Sequence, residues 1–315
     1  MGVASFVAGD WGTSHLLLFL CDENGVALDS ARGPGIGQVS GPCATAFDSL
    51  LERWEMHVGT LPAVLCGMVG SSIGWTQTPY ISCPAIPDKV FGGCVSLRGG
   101  RLHIVPGLRC RNRLQAPDFM RGEETQILGA AHLDASLGHG RRLLCLPGTH
   151  TKWVVLEEGI IKEFLTAPTG ELFAAVRNHS VLVRDDCDTE AVLAGAAFEQ
   201  GLQRFRDPSQ AHLLHRLFEC RGRQLDGELS AHEAAAFLSG LLIASDVNGA
   251  LALFAQSASE RTVHLIGAPR LTQLYARALS YQSFGATELD GAAASLAGLA
   301  RVHQHLSPRL ATSAV

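Results

Sequence analysis

The stretch FVAGDWGTSHLLLFLCDENGVAL, Phe6–Leu28, comes back about 135 residues later as LLCLPGTHTKWVVLEEGIIKEF, Leu143–Phe164. Each copy runs from an apolar strand through a Gly-Thr turn into a second apolar strand. Each then passes an acidic turn ending in Gly25 or Gly159 and enters a third. Glu-Asn-Gly and Glu-Glu-Gly supply the left-handed backbone position that a tight hairpin needs, so the second turn has a structural explanation. A hairpin written twice predicts two similar lobes of α/β type.

The first turn of each copy needs another explanation. Asp10-Trp11-Gly12-Thr13-Ser14 and Gly148-Thr149-His150-Thr151 set glycine and hydroxyls between two apolar strands. Backbone N–H groups and hydroxyls in such a turn surround an anion, and phosphate is the natural guest. Either turn alone reads as an ordinary hairpin. Duplication favours two lobes that grip one nucleotide polyphosphate, with Gly12, Thr13 and Ser14 on one side and Gly148 and Thr149 on the other. A carboxylate beside a triphosphate is repelled unless a cation intervenes, which makes Asp10 the expected Mg²⁺-side residue. A nucleotide polyphosphate and Mg²⁺ are thus expected.

Other nucleotide signatures fail. No G-x-x-x-x-G-K-[ST] occurs, and Gly33, Gly35 and Gly37 lack dinucleotide-site spacing, so Gly33-Pro34-Gly35 reads as a loop. Between the two hairpins, Met120–Gly129 (MRGEETQILG) reads as a loop entering a helix whose first turn holds Glu123 and Glu124. Acidic residues suit any helix N-terminus. Adjacent residues diverge by about 100° around a helix, so one of the pair is free to act as a base in phosphoryl transfer. Cys66–Trp75 (CGMVGSSIGW) follows a strand and offers Gly70, Ser71 and Ser72 to a polyhydroxylated or anionic molecule, as do Thr169, Gly170 and Glu171 after the second hairpin. Arg109, Arg111 and Arg113 read as a solvated loop. Val263–Ile266 followed by Gly267 would bring backbone close to a flat base.

The 315 residues carry 25 basic and 30 acidic side chains, a net charge of −5, which excludes an electrostatic nucleic-acid binder as the default. At 47% hydrophobic and 17% charged, the chain fills a large core. Nine dispersed cysteines without a C-x-x-C pair indicate buried thiols in a reducing cytoplasm, and the histidines lack carboxylate or thiolate partners at ligand spacing. No apolar run of membrane-spanning length is expected, and no export signal is read at MGVASFVAGD. Helices are expected near Glu124–Leu133, Thr189–Leu202, His232–Leu253, Leu271–Tyr281 and Ala292–His305. Strands are expected at Phe6–Gly9, Leu16–Cys21, Ala63–Cys66, His103–Val105, Leu143–Leu146, Trp153–Leu156 and Val263–Ile266.

DWGTS (Asp10–Ser14), GMVGSSIGW (Gly67–Trp75), MRGEETQILGA (Met120–Ala130), LPGTHTKWV (Leu146–Val154), TGELF (Thr169–Phe173) and FLSGLLIASDV (Phe237–Val247) together resemble the 2-dehydro-3-deoxygalactonokinase family. That family belongs to the sugar kinase/Hsp70/actin superfamily. The resemblance covers nearly the whole chain. It implies two ribonuclease-H-like lobes, residues 1–132 and 133–315, with ATP and Mg²⁺ in a cleft between them. It also implies phosphorylation of 2-dehydro-3-deoxy-D-galactonate at its 6-hydroxyl, with no nucleic acid or membrane partner and with a homodimer left open. By the same resemblance Glu123, ahead of Glu124, takes the catalytic-base position, and Gly267 borders adenosine. Relatives commonly carry Asn and Arg where this chain has His15 and Leu17, and a longer polar side chain at Ser72. The missing positive charge leaves a rival reading, an inactive sugar-acid or nucleotide sensor, or a role for Arg121 or Lys152 in its place.

Overall fold

The computed structural model describes residues 2–183, 195–206, 212–254 and 261–312. The chain forms two compact units. One comprises Met1–Gly140, Leu156–Phe164 and Asp290–Val315; the other comprises Arg141–Val155 and Leu165–Leu289. This division differs from a boundary after residue 132 at 133–140, 156–164 and 290–315, which pack with the first unit.

The first unit opens with β1 (Ala4–Trp11), β2 (His15–Asp22) and β3 (Ala27–Pro34), followed by α1 (Cys43–Val58) and β4 (Ala63–Gly67). After β5 (Tyr80–Ser82), α2 (Pro87–Gly92), β6 (Val95–Leu97), β7 (Leu102–Ile104), β8 (Gly107–Arg111) and β9 (Pro117–Met120) comes α3 (Glu123–Leu133). The sheet order is β3-β2-β1-β4-β7-β6. β2 is antiparallel to β1 and β3, while β1, β4 and β7 run parallel. Gly25 sits at φ 81° in the β2–β3 turn, as its sequence position requires. Helix α1 is amphipathic. Its Phe47, Leu51 and Trp54 recur at helical spacing and pack with Val7 and Trp11 on one face of the sheet. A small sheet, β5-β8-β9, stands beside the large one. The arginine cluster expected in a solvated loop lies on and just after β8. Leu108 is buried in that strand, and Arg113 Nη2 pairs with Glu163 at 2.9 Å.

The remaining elements are β10 (Arg141–Leu146), β11 (Thr151–Glu157), β12 (Ile160–Ala167), α4 (Thr169–His179), α5 (Ala196–Gln203), α6 (Leu213–Leu225), α7 (Ala231–Phe254), β13 (Thr262–Gly267), α8 (Pro269–Tyr281), β14 (Gly285–Asp290) and α9 (Gly291–Thr312). Their sheet runs β12-β11-β10-β13-β14, with β10 parallel to β13. This repeats the order of the first sheet, hairpin strands outward from the first strand and a parallel crossover inward. Each unit is ribonuclease-H-like in this sense. Helix α7 is long and apolar enough to cross a membrane by length and composition, against the expectation of no such run. Here it is the core helix of the second unit, with Phe237, Leu241 and Val247 buried. The helix expected from Thr189 begins at Ala196; residues 189–194 lie outside the described ones.

Helix α9 belongs to the first unit and fixes its site. It packs on α3 at backbone contact: a Cβ at Gly129 would lie 1.9 Å from Ala294 O, and one at Gly298 would lie 2.1 Å from Thr125 O. Only glycine permits that approach. It carries Ser295 to β1 from 285 residues away in sequence.

Candidate active site

The first Gly-Thr turn is closed by the Gly12 N–H donating to His15 O at 2.9 Å. Behind it runs the Gly35–Gly37 segment, where the N–H groups of Ile36 and Gly37 donate to Gly12 O (3.0 Å) and Thr13 O (2.9 Å). A trans peptide directs N–H opposite to C=O, so the N–H groups of Thr13 and Ser14 point away from that backing. A Cβ at Gly35 would lie 2.3 Å from Thr13 O, so the backing segment sits directly against the turn. Thr13 and Ser14 are exposed.

At the end of β1, Asp10 accepts a hydrogen bond from Ser295 Oγ at 2.7 Å. Burial pushes its carboxyl pKa up, opposed by hydrogen bonds with Ser295, Gln126 and Cys66. Two glycines with left-handed backbones close the space beside it. Gly67 (φ 91°) ends β4, and a Cβ there would lie 3.2 Å from Asp10 Oδ1. Gly122 (φ 104°) precedes α3, and a Cβ there would lie 3.2 Å from Gly67 Cα. Asp10, the loop after β4 and the start of α3 are therefore contiguous.

The two adjacent glutamates separate cleanly. Glu123, partly exposed, accepts the Arg121 backbone N–H at 3.0 Å. Glu124 is fully buried and accepts from the Gly122 N–H (2.7 Å) and Thr125 Oγ1 (3.1 Å). Burial first, then the neighbouring charge of Glu123, raises the Glu124 pKa to about 8. Glu124 is thus an internal brace for the Gly122 turn, and Glu123 is the carboxylate that solvent reaches.

Arg121 lies in the same group. Its Nη1 donates to Thr78 Oγ1 and its Nη2 to Thr78 O at 3.1 Å, with the guanidinium 4.4 Å from the Tyr80 ring centroid. A Cβ at Gly70 would lie 2.8 Å from Arg121 Nη1, so the Gly70–Ser72 loop abuts this arginine. Ser71 Oγ and Arg121 Nε are buried without a hydrogen-bond partner, polar atoms for which a ligand acceptor would compensate. Leu17 pairs with Asp10 across the hairpin. Lys152 is buried and donates to Thr166 Oγ1 at 3.0 Å.

The second Gly-Thr turn has the same exposure as the first: Gly148 partly buried, Thr149 and His150 exposed. Its backing is a helix start. The Glu171 N–H donates to Thr149 O at 2.9 Å, and a Cβ at Gly170 would lie 2.5 Å from Gly148 O. His150 Nε2 pairs with Glu171 Oε2 at 2.7 Å. A Cβ at Gly267 would lie 3.5 Å from Pro147 O, which puts that residue beside the turn as well. A cavity of about 250 Å³ opens here. Gly148, Thr149, Thr169 and Gly170 form its polar rim; Phe173, Leu242, Ile243, Leu271 and Leu274 supply apolar walls, with Ser239 and Tyr275.

The residues expected for sugar contact thus divide. Gly70, Ser71 and Ser72 lie with Arg121 in the first unit, whereas Thr169, Gly170 and Glu171 surround the second turn. Sequence reading missed Thr78, Tyr80, Ser295 and Asp246. Only Asp246 left a signal, a carboxylate within a long apolar helix.

The model of the family described as 2-keto-3-deoxy-galactonokinase matches residues 10–302. A Rhizobium meliloti (strain 1021) protein named probable 2-dehydro-3-deoxygalactonokinase DgoK1 is 36% identical over 309 residues, 96% of this chain and 98% of that one. The Escherichia coli (strain K12) 2-dehydro-3-deoxygalactonokinase is 32% identical over 298 residues, 94% of this chain and 96% of its own. A crystal structure from Sinorhizobium meliloti, provisionally named a 2-dehydro-3-deoxygalactonokinase protein, superposes with a TM-score of 0.84 at 36% identity, covering 96% of this chain and 99% of that one.

Proposed function

The chain belongs to the 2-keto-3-deoxy-galactonokinase family, and from that premise we propose that it transfers the terminal phosphoryl group of ATP to the 6-hydroxyl of 2-dehydro-3-deoxy-D-galactonate in cytoplasmic galactonate breakdown. The observation that carries the chemical reading is the contiguity of Asp10, Gly67 and Gly122, which brings the turn preceding the partly exposed Glu123 into the same group as a carboxylate suited to a metal–nucleotide complex.

In this reading Glu123 orients the acceptor hydroxyl and takes its proton as the oxygen attacks the terminal phosphorus and the bond to the bridging oxygen of ADP breaks. The proton leaves late, so a carboxylate at a helix start suffices. Arg121, adjacent in the chain to the Gly122–Glu123 turn, pairs with the carboxylate of the sugar acid and supplies the positive charge that Leu17 lacks. Ser71 and Ser72 meet its hydroxyls.

The N–H groups of the Gly148-Thr149 turn receive phosphate oxygens, and the cavity beside that turn, lined by both polar and apolar residues, takes the nucleoside. Gly170 then backs the nucleotide turn, and Thr169 commits its hydroxyl to Asp246. Asp10 fits Mg²⁺. Among the described residues no three His, Cys, Asp or Glu side chains gather as a cage, and Mg²⁺ takes one or two carboxylates with phosphate oxygens and waters. When bound, the ion neutralises charge that develops on the transferring phosphoryl group and favours ionised Asp10.

The test is ADP release in the presence of a panel of 2-keto-3-deoxy hexonates. Turnover that depends on the sugar acid, fastest with the galactonate epimer, supports the reading; ATP binding without turnover on any member of the panel contradicts it.

A further inference from the structure

Asp246 stands within α7, a helix whose buried residues are nearly all apolar. A carboxylate in such a place is costly unless hydrogen bonds compensate it. Three donors from three elements do so: Trp153 Nε1 of β11 at 2.8 Å, Thr169 Oγ1 of α4 at 2.7 Å and Tyr275 OH of α8 at 2.7 Å. The tyrosine spends its one proton on Asp246, so Thr151 Oγ1, 2.9 Å away, donates to Tyr275 OH.

These donors are not scattered over the unit. Thr151 and Trp153 lie on the strand that leaves the Gly148–His150 turn. Thr169 immediately precedes Gly170, whose backbone closes on Gly148 O and Thr149 Cα. Both stretches of chain that shape the turn therefore end on one carboxylate. Thr169 and Tyr275 also line the cavity whose rim the turn forms. A requirement for stability alone is met as well or better by apolar packing than by a buried charge.

We propose that Asp246 is a positioning residue for the nucleotide, a clamp that holds the Gly148-Thr149 turn and the start of α4 in the geometry that receives the phosphates and the nucleoside of ATP. The proposal rests on the kinase reading for its ligand, and its geometry stands apart from the chemistry at Glu123. Burial raises the Asp246 pKa, opposed by the hydrogen bonds from Thr169, Tyr275 and Trp153.

Asp246→Asn removes the charge and one acceptor oxygen, so the Thr169 and Tyr275 hydroxyls must turn from donating to accepting from an amide N–H₂. In the folded variant KM for ATP is expected to rise about tenfold, while KM for the sugar acid and kcat change by less than about threefold. Thr169→Val cuts only the link to α4 and is expected to raise KM for ATP about fivefold, whereas Thr169→Ser keeps the hydroxyl and the wild-type value. If Asp246→Asn does not fold, the Thr169 pair decides. An unchanged KM for ATP in Thr169→Val, or a Thr169→Ser variant as impaired as the valine, overturns the clamp, as does equal weakening of both substrates. Calorimetric titration of the same variants with Mg·ATP separates the two ideas. Weaker binding in Asp246→Asn and Thr169→Val upholds the clamp even if the wild-type protein turns over no sugar acid. Unchanged binding overturns it and leaves the kinase reading intact.

Discussion

At Gly12–Ser14 and again at Gly148–His150 the chain makes one exposed turn between two strands, with the same Gly-Thr pair and the same half-buried glycine. What stands behind each turn differs. The first is braced by main chain, the Gly35–Gly37 segment, and ends a strand that carries Asp10. The second is braced by the start of α4, itself pinned by Asp246, and has Leu146 at the position of Asp10. Two copies of one hairpin have kept the exposed Gly-Thr turn and differ in what surrounds it. The first unit holds the carboxylates Asp10 and Glu123, and the second holds a cavity of about 250 Å³ beside its turn.

The division is broken most directly at Glu123. Glu123→Gln keeps size and hydrogen bonding but removes the base; kcat is expected to fall about a thousandfold with ADP affinity changed less than about twofold. Stopped-flow ADP release and calorimetry read the two effects, and near-normal turnover would move the chemistry out of the first unit. Next in size is Asp10→Asn, expected to lower kcat about a hundredfold and to shift the Mg²⁺ dependence upward, with KM for the sugar acid little changed. A Mg²⁺ titration that superposes on that of the wild type would remove Asp10 from the metal side.

The braces come next. Gly35→Ala and Gly170→Ala each drive a methyl into turn backbone, so each is expected to lose about 1–3 kcal/mol of stability in denaturant unfolding. Only Gly170→Ala is expected to disturb the rim of the nucleoside cavity, and fluorescence titration with a base-modified ATP compares the two. The smallest effect concerns pH. The Glu124 pKa rises from its ordinary value to about 8 on folding, so the folded state holds its proton more tightly. The resulting stability is complete below the ordinary glutamate pKa and is lost as pH rises through about 8. Glu124→Gln, which mimics the protonated form, is expected to lose less stability than the wild type on raising pH from about 5 to about 9. Equal slopes in the two proteins would mean that Glu124 titrates normally.

Much of this was legible in the sequence, and the parts that were not share a cause. The hairpins, with Gly25 and Gly159 in left-handed turns, follow from local pattern, as do the core strands and α3, α7 and α8. Helices α1 and α6 escaped notice although Phe47, Leu51 and Trp54 have helical spacing, because polar and basic residues dilute the pattern. In the site, Asp10 and Glu123 announce themselves by motif. Helical pattern alone does not tell Glu124 from Glu123, which the resemblance put first; the packing of α3 buries Glu124 and leaves Glu123 partly exposed. Ser295 reaches Asp10 only through a glycine-mediated crossing of α3 and α9, and no local pattern encodes a contact 285 residues apart. Thr169 and Gly170 look like sugar-loop residues until α4 is seen to start there and to press on the second turn.

A crystal structure of the protein with Mg²⁺ and a non-hydrolysable ATP analogue tests the nucleotide reading most directly. The expected result has phosphate oxygens within hydrogen-bonding distance of N–H groups at Thr149 or His150 and the nucleoside in the cavity beside that turn. A nucleotide lying away from this turn and its cavity would contradict it.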